Sequence, residues 1–317
     1  MIEYKRILSI DGGGIRGIYP ATILAEIEKQ LPEPLHKYFD LITGTSTGGI
    51  IALGIGLGYE AAEIVGFYEK YGPKIFGGGR KWKAIKHWLS TKYDNKELEK
   101  ALEETFGEKH VGDSYTRLVI PSMEPGEGVY MYKTSHREDF SRDYWRKATE
   151  AAMATAAAPT YFPAYTNETK DILVDGGVWA NNPILFGLMD GIGILGWKKE
   201  EIKVLSISCI EKPLDSYLPK RKGKLRIAPH LTDLFMSMQS ASALSASQIL
   251  IGPDNIFRLT DEGGFELDSV KQLPEMKGLA ETRIKSEIDK IMPIFFDSPV
   301  AEPFVPFKTV EDYYKNK

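Results

Sequence analysis

Apolar residues occur along the chain in two patterns: short runs that stop at glycine or proline, and longer segments with apolar residues at helical spacing. The short runs predict buried strands, and the longer segments predict helices. Strands are predicted at residues 6–10, 39–43, 117–121, 129–133, 171–174 and 203–208. Helices are predicted at residues 19–30, 48–57, 61–71, 95–106, 145–158, 231–251 and 274–291. Because strand, turn and helix follow one another twice within residues 6–57, the pattern predicts an α/β fold with a central, mainly parallel sheet covered by helices.

The rest of the chain shows no internal repeat and no boundary between domains. We therefore expect a single domain over residues 1–317, in which residues 6–185 carry the motifs described below. Residues 186–317 are expected to complete the fold, and they are the candidate region for regulation. Residues 73–92 differ in character from the segments around them: Pro73 and the glycines at 77–79 predict a loop, and basic and aromatic residues follow it. A tail spaced by prolines follows residue 291.

Composition places the chain among ordinary globular proteins, with 43% hydrophobic and 26% charged residues. The net charge of −4 gives no field that would attract a nucleic acid polymer. The single cysteine, Cys209, excludes an intramolecular disulfide. No apolar stretch reaches the ~20 residues of a membrane span, and the N-terminus enters a predicted strand without the apolar core of a signal peptide. We therefore expect a cytoplasmic protein that meets membranes, if at all, from their inner face.

Residues 44–48, G-T-S-T-G, form a glycine-framed turn between a predicted strand and a predicted helix. This is the context of a nucleophile elbow, in which the central serine is raised above the sheet. Gly44 and Gly48 would remove the side chains that clash at such a turn, and the following helix would direct its N–H groups towards Ser46. We predict that Ser46 is a nucleophile; the alternative is a glycine turn with a spectator serine.

An earlier turn, residues 11–17, reads D-G-G-G-I-R-G and also follows a predicted strand. Its G-x-G-x-x-G spacing fits a dinucleotide-binding module, but that site needs an acidic residue at the end of a second strand, and Glu33 lies between two prolines. Beside a nucleophilic serine, the same turn predicts an oxyanion hole made by backbone N–H groups of residues 12–14. Arg16 would either add positive charge there or form a salt bridge at a helix start.

A serine nucleophile needs a base. The chain has five histidines, His36, His87, His110, His136 and His230, and none ends a glycine-framed strand. Asp175 does, because it follows an apolar run and precedes Gly176 and Gly177. Strand ends at the carboxyl edge of a parallel sheet are common places for catalytic groups, so we predict that Asp175 is the base. A triad through His230 and a simple turn aspartate are the alternatives.

Together, D-G-G-G-x-R-G, G-T-S-T-G and D-G-G resemble the patatin-like phospholipase family over residues 6–185. The resemblance implies a three-layer α/β/α fold and a Ser46–Asp175 dyad that releases fatty acids from membrane phospholipids without a metal or other cofactor. It also implies an oxyanion hole and six supporting motif residues. The oxyanion hole is formed by Gly12, Gly13 and Gly14, and the supporting residues are Arg16, Gly17, Gly44, Gly48, Gly176 and Gly177.

Residues 39–76 also resemble the patatin-like effectors of bacterial cyclic-oligonucleotide antiphage (CBASS) systems. This narrower resemblance implies an antiviral phospholipase that a cyclic dinucleotide such as cGAMP activates and that acts on the inner membrane. The alternatives are a constitutive lipid acyl hydrolase without nucleotide control and, in a different class, a nucleotide-binding module that uses the first glycine turn.

Residues 80–88 combine basic and aromatic side chains, a composition that suits membrane docking or contacts with a cyclic dinucleotide. The candidate contacts are Arg80, Lys81, Trp82, Lys83, Lys86 and Trp88. A surface helix with one buried stripe is the third interpretation. The basic residues 220–226 are either a solvated linker or a phosphate contact. The small side chains of helix 231–251 suit packing within the core or against a second copy of the chain, which would make a homo-oligomer.

Overall fold

The computed structural model describes residues 4–77, 91–213, 231–300, 302–315 and 317. The basic and aromatic residues at 80–88, the basic residues at 220–226, His87 and His230 lie outside the described residues.

One sheet forms the centre of the described structure, in the strand order β5-β6-β3-β2-β1-β7-β8, with β4 paired to β3. Its strands are β1 (Lys5–Ile10), β2 (Leu41–Gly44), β3 (Arg117–Glu124), β4 (Gly128–Lys133), β5 (Tyr165–Thr166), β6 (Ile172–Asp175), β7 (Ile202–Ile207) and β8 (Ile256–Leu259). The five strands β3, β2, β1, β7 and β8 run parallel to their neighbours. The antiparallel strands β4, β5 and β6 lie beyond them on the β3 side.

Helices cover both faces of this sheet. They are α1 (Ile18–Glu28), α2 (Thr47–Gly56), α3 (Ala61–Gly77), α4 (Lys96–Phe106), α5 (Ala148–Ala156), α6 (Gly177–Ala180), α7 (Ile184–Met189), α8 (Leu231–Ile251), α9 (Leu273–Phe295) and α10 (Val310–Lys315). Strand side chains alternate between the faces. In β1, Leu8 and Ile10 join the core under α1, α2, α3 and α9, whereas Ile7 joins the core under α7 and α8. The fold is therefore a three-layer α/β/α arrangement around a mainly parallel sheet.

The structure corrects several predicted boundaries. Helix α3 does not stop at Tyr71 but continues through Pro73 to Gly77, because Ile75 is buried in the core and Phe76 packs against it. That packing outweighs the hydrogen bond lost at proline. Helix α5 is shorter than the predicted 145–158. The edge strand β8, the short helix α7 and the C-terminal helix α10 were not predicted, since each offers too few residues for a periodic pattern.

The sheet brings three turns to one place. In the parallel pair β1–β2, Ile10 lies beside Gly44, so the turns that follow these two strands are neighbours. Strand β2 pairs with residues 117–119 of β3, and β6 pairs with residues 122–123 further along the same strand. Asp175 therefore reaches the site from an antiparallel strand. The sequence-based expectation of a parallel strand end was wrong on this point.

Candidate active site

Ser46 lies in the strained turn between β2 and α2, with φ 56° and ψ −123°. Few residues other than glycine adopt a positive φ, and such strain is concentrated at functional sites. The flanking glycines make the turn sterically accessible. A Cβ at Gly44 would overlap the carbonyl of Gly48, and a Cβ at Gly48 would overlap the carbonyl of Ile10.

The backbone of Ser46 is fixed by a residue that sequence reasoning missed. Its N–H donates to Oγ1 of Thr155 at 2.9 Å, and the Thr155 hydroxyl donates to the carbonyl of Pro121 at 2.6 Å. Thr155 is fully buried in α5. The Ser46 N–H therefore has a hydrogen-bond acceptor, Thr155, whose own position is fixed by β3.

Asp175 lines the same cavity as Ser46, and its carboxylate lies close enough to the Ser46 side chain for that side chain to lower its pKa. The carboxylate is 3% exposed, and it accepts the N–H of Gly177 at 2.6 Å. Burial raises its pKa to about 7, against the smaller opposing effects of the Ser46 side chain and the Gly177 N–H. Burial disfavours the charged form, and no cation of the described residues is among the groups that shift this carboxyl. The arrangement is a buried carboxylate of raised basicity beside a hydroxyl.

The three glycines at 12–14 differ in what their N–H groups contact. The Gly12 N–H donates to the carbonyl of Asn181 at 3.0 Å. Within the described part of the chain, the N–H groups of Gly13 and Gly14 have no hydrogen-bond partner, and both residues line the same cavity as Ser46. Gly14 has φ +58°, and a Cβ there would overlap the carbonyl of Leu267. Two N–H groups, rather than three, are thus available to a ligand in the cavity.

A buried ionic contact holds this turn. Arg258 of β8 donates to both carboxylate oxygens of Asp11, at 2.8 and 2.6 Å, and also contacts Glu211 at 3.0 Å. Bidentate arginine–carboxylate pairs are among the stronger and more directional hydrogen-bonded contacts. The start of the glycine turn is therefore fixed by a strand from the C-terminal part of the chain.

Arg16 is buried but does not line the cavity. Its Nε donates to the carbonyl of Gly13 at 3.2 Å, and its guanidinium lies 3.9 Å from Asp233. Of the two interpretations of Arg16, the contacts favour an ion pair that also orients the Gly13 peptide.

The other two motif glycines allow close packing. A Cβ at Gly17 would overlap Oγ1 of Thr47, and one at Gly176 would overlap the carbonyl of Pro121. Both sites need a residue without a side chain so that the turn at 11–17 can approach α2 and β6 can approach β3.

A cavity of about 270 Å³ opens at Ser46. Apart from Asp175, the described residues that line it have no charged side chain, and most of this lining is apolar. The large apolar residues of the lining are Ile15, Ile50, Phe67, Tyr68, Ile75, Phe76, Leu98, Tyr161, Phe162, Val178, Phe235, Met236 and Leu267. Such a wall suits a hydrocarbon chain better than a nucleotide or a sugar.

None of the described histidines lines this cavity. His136 is buried elsewhere, where Nε2 lies 2.9 Å from Asp190, and burial lowers its pKa. Among the described residues, Asp175 is the carboxylate that lines the cavity beside Ser46. Across those ranges, no group of three or more His, Cys, Asp or Glu side chains is arranged to hold a metal ion. No helix among them is long and apolar enough to cross a bilayer.

Comparison with known proteins gives a family and several relatives. The family model described as patatin-like phospholipase matches residues 8–187. A cGAMP-activated phospholipase of Pseudomonas aeruginosa is 32% identical over 316 residues, covering 96% of this chain and 92% of that protein. Two further cGAMP-activated phospholipases match over shorter regions. The protein of Escherichia coli is 38% identical over 58% of this chain and 55% of its own length, and that of Vibrio cholerae is 36% identical over 65% and 62%.

The family match spans more than half of the chain and contains all three glycine turns, and one relative aligns along nearly its whole length. Together with the α/β/α fold around a Ser46 elbow, these matches show that this chain belongs to the patatin-like phospholipase family and is a lipid acyl hydrolase.

Proposed function

We propose that the chain hydrolyses membrane phospholipids through a Ser46–Asp175 dyad. The observation that carries this proposal is the position of a buried carboxylate beside Ser46 in the lining of one apolar cavity. Asp175 takes the hydroxyl proton as Ser46 Oγ attacks the ester carbonyl. The leaving lysolipid then takes that proton from Asp175, and water hydrolyses the acyl-enzyme by the reverse sequence.

The negative charge that develops on the carbonyl oxygen needs donors that are already in place. We propose the N–H groups of Gly13 and Gly14 for this role, because both residues line the cavity and neither N–H has another partner in the described chain. The N–H of Gly12 is already committed to Asn181, so Gly12 supports the turn in this proposal. Arg16 contributes by holding the carbonyl of Gly13, which fixes the direction of the peptide that carries the Gly14 N–H.

Release of fatty acid from phospholipid vesicles tests the dyad. We expect activity from the wild type, background activity from Ser46→Ala, and a loss of about 10³-fold for Asp175→Asn, which is within the usual range for a general base. Full activity in Asp175→Asn would contradict the dyad and return attention to His230.

We further propose that a cyclic dinucleotide controls this activity and that the protein is an antiviral effector acting at the inner face of the cell membrane. Support comes from the relatives named cGAMP-activated phospholipases, one of which aligns over 96% of the chain. The basic residues at 80–88 and 220–226 remain candidate contacts for a ligand or a membrane on sequence grounds alone, and homo-oligomer formation remains a prediction.

Hydrolysis measured with and without cGAMP tests this control, with the linear dinucleotide of the same bases as the matched control. We expect stimulation by the cyclic compound only. Equal activity under all three conditions would favour the constitutive hydrolase instead.

A further inference from the structure

Helix α8 presents an uncharged face to solvent. From residue 234 to residue 251 it contains no Asp, Glu, Lys, Arg or His. Phe235 is 62% exposed, Met238 is 57% exposed, and Ile249, near the other end, is 88% exposed. A surface helix normally carries charged residues on its outer face. An uncharged outer face with large exposed apolar residues indicates that something covers it in use.

One end of this face coincides with the mouth of the catalytic cavity. Phe235 lines the cavity and is still mostly exposed, so it stands at the opening. Val178 of α6 also lines the cavity and is 49% exposed. Met238 follows Phe235 by three residues, which places both on the same side of α8. Helices α6 and α8 pack against each other, so the three side chains form one patch.

We propose that Val178, Phe235 and Met238 form a membrane-docking surface that inserts into a phospholipid bilayer around the mouth of the cavity. The inference rests on the proposed function, because it assumes that the cavity accepts an acyl chain. A bilayer fits this patch for two reasons. The acyl chain of the substrate passes from the bilayer into the cavity at the mouth of the cavity. Apolar side chains around the mouth exclude water from that path. A second copy of the chain seated on Val178 and Phe235 would instead cover the opening.

Fluorescence from single labelled cysteines locates the contact. The native Cys209 is 4% exposed, so a thiol-reactive, environment-sensitive dye is directed to an introduced cysteine. The probe sites are Met238→Cys and, as matched control, Ile249→Cys, which lies on the same face about 16.5 Å further along the helix. Both are made in Ser46→Ala protein, so that hydrolysis does not alter vesicles of phosphatidylethanolamine and phosphatidylglycerol.

We expect a blue shift with increased emission at position 238 when vesicles are added, and no change at position 249. No change at 238 would overturn the proposal. An equal change at both positions, or a change at 238 that follows protein concentration without vesicles, would also overturn it. The last result would show that a second copy covers this face.

Vesicle sedimentation gives a second, independent measurement. In Ser46→Ala protein, adding Phe235→Ser and Met238→Ser together is expected to weaken binding to the same vesicles about tenfold, because two large apolar side chains no longer enter the bilayer. Adding Ile249→Ser is expected to leave binding within about twofold of its parent, the range expected for an exposed residue outside the contact. Equal binding of all three proteins would contradict the docking surface.

Hydrolysis of a water-soluble ester by the otherwise wild-type chain separates the two proposals. If the dye at position 238 reports contact with vesicles but the chain does not hydrolyse the ester, the proposed dyad is contradicted and the docking surface is supported. If the chain hydrolyses the ester in a Ser46-dependent way but the dye at position 238 reports no contact with vesicles, the dyad is supported and the docking surface is contradicted.

Discussion

At the scale of single residues, the central feature is a carboxylate whose basicity comes from its surroundings. An aspartate in water, with a pKa near ~3.9, is a weak base for a serine hydroxyl. Burial raises the pKa of Asp175 to about 7, which brings it close to the value of a histidine. A dyad without an imidazole is chemically reasonable for this reason.

The pKa of Asp175 sets an acid limb. Because the base must be deprotonated, we expect kcat/KM for a water-soluble ester to fall as the pH drops through about 7. A histidine titrates in the same region, so the position of the limb does not identify the base by itself. His230→Gln supplies the distinction: we expect it to keep both the activity and the limb. Loss of both in this variant would identify an imidazole base.

The same shift has a cost in stability. Folded Asp175 has a higher pKa than the unfolded ~3.9, so between about pH 4 and pH 7 the folded chain holds the proton more tightly. Its contribution to the free energy of unfolding therefore decreases as the pH rises through this window, by up to about 1.4 kcal/mol per pH unit. We expect Asp175→Asn to melt at a higher temperature than the wild type at pH 8, with the difference shrinking towards pH 4.

Asp190 is the matched control for this measurement. Its pKa is lowered, chiefly by hydrogen bonds and charge from His136 and Lys133, which together outweigh burial. The sign is therefore opposite, and Asp190→Asn should melt at a lower temperature than the wild type at pH 8. If both variants melt at a lower temperature than the wild type at pH 8, the pKa of Asp175 is not raised in the folded chain.

At the scale of elements, the elbow depends on α5 as well as on its own glycines. We expect Thr155→Val to lower kcat for a water-soluble ester about 10- to 100-fold, since the Ser46 N–H loses its acceptor and the nucleophile is no longer held in place. KM should change little, and Thr155→Ser should restore most of the activity because it keeps the hydroxyl.

Thr149→Val is the matched control on the same helix. The Thr149 hydroxyl is buried and makes no hydrogen bond within the described structure. Its replacement should leave kcat near the wild-type value. Equal losses of kcat in both variants would assign the effect of Thr155 to helix packing rather than to positioning.

The elements also explain how much could be predicted from sequence. The turns at 11–17 and 44–48 are local, and their glycines indicate the backbone geometry directly, so the roles of Ser46 and the donor turn could be proposed from sequence. Thr155 lies 109 residues from Ser46, and Arg258 lies 247 residues from Asp11. No local pattern encodes such contacts, because they arise only once the sheet has formed. The antiparallel direction of β6 could not be predicted from sequence for the same reason.

At the scale of the whole molecule, the C-terminal part of the chain takes part in the site although the family match ends at residue 187. Strand β7 pairs with the whole of β1, β8 supplies Arg258, and Phe235 and Leu267 line the cavity. Sequence reasoning assigned residues 186–317 to the completion of the fold, and these contacts describe how that part reaches the catalytic turn. That residues 1–317 form a single domain remains a prediction.

The central claim is that Ser46, activated by Asp175, is the nucleophile. The most direct measurement is mass spectrometry of peptides from protein treated with a serine-reactive fluorophosphonate. The account predicts one adduct, on the peptide that contains Ser46, and far slower labelling in Asp175→Asn. An adduct on another serine with Ser46 unmodified, or undiminished labelling of Ser46 in Asp175→Asn, would contradict it.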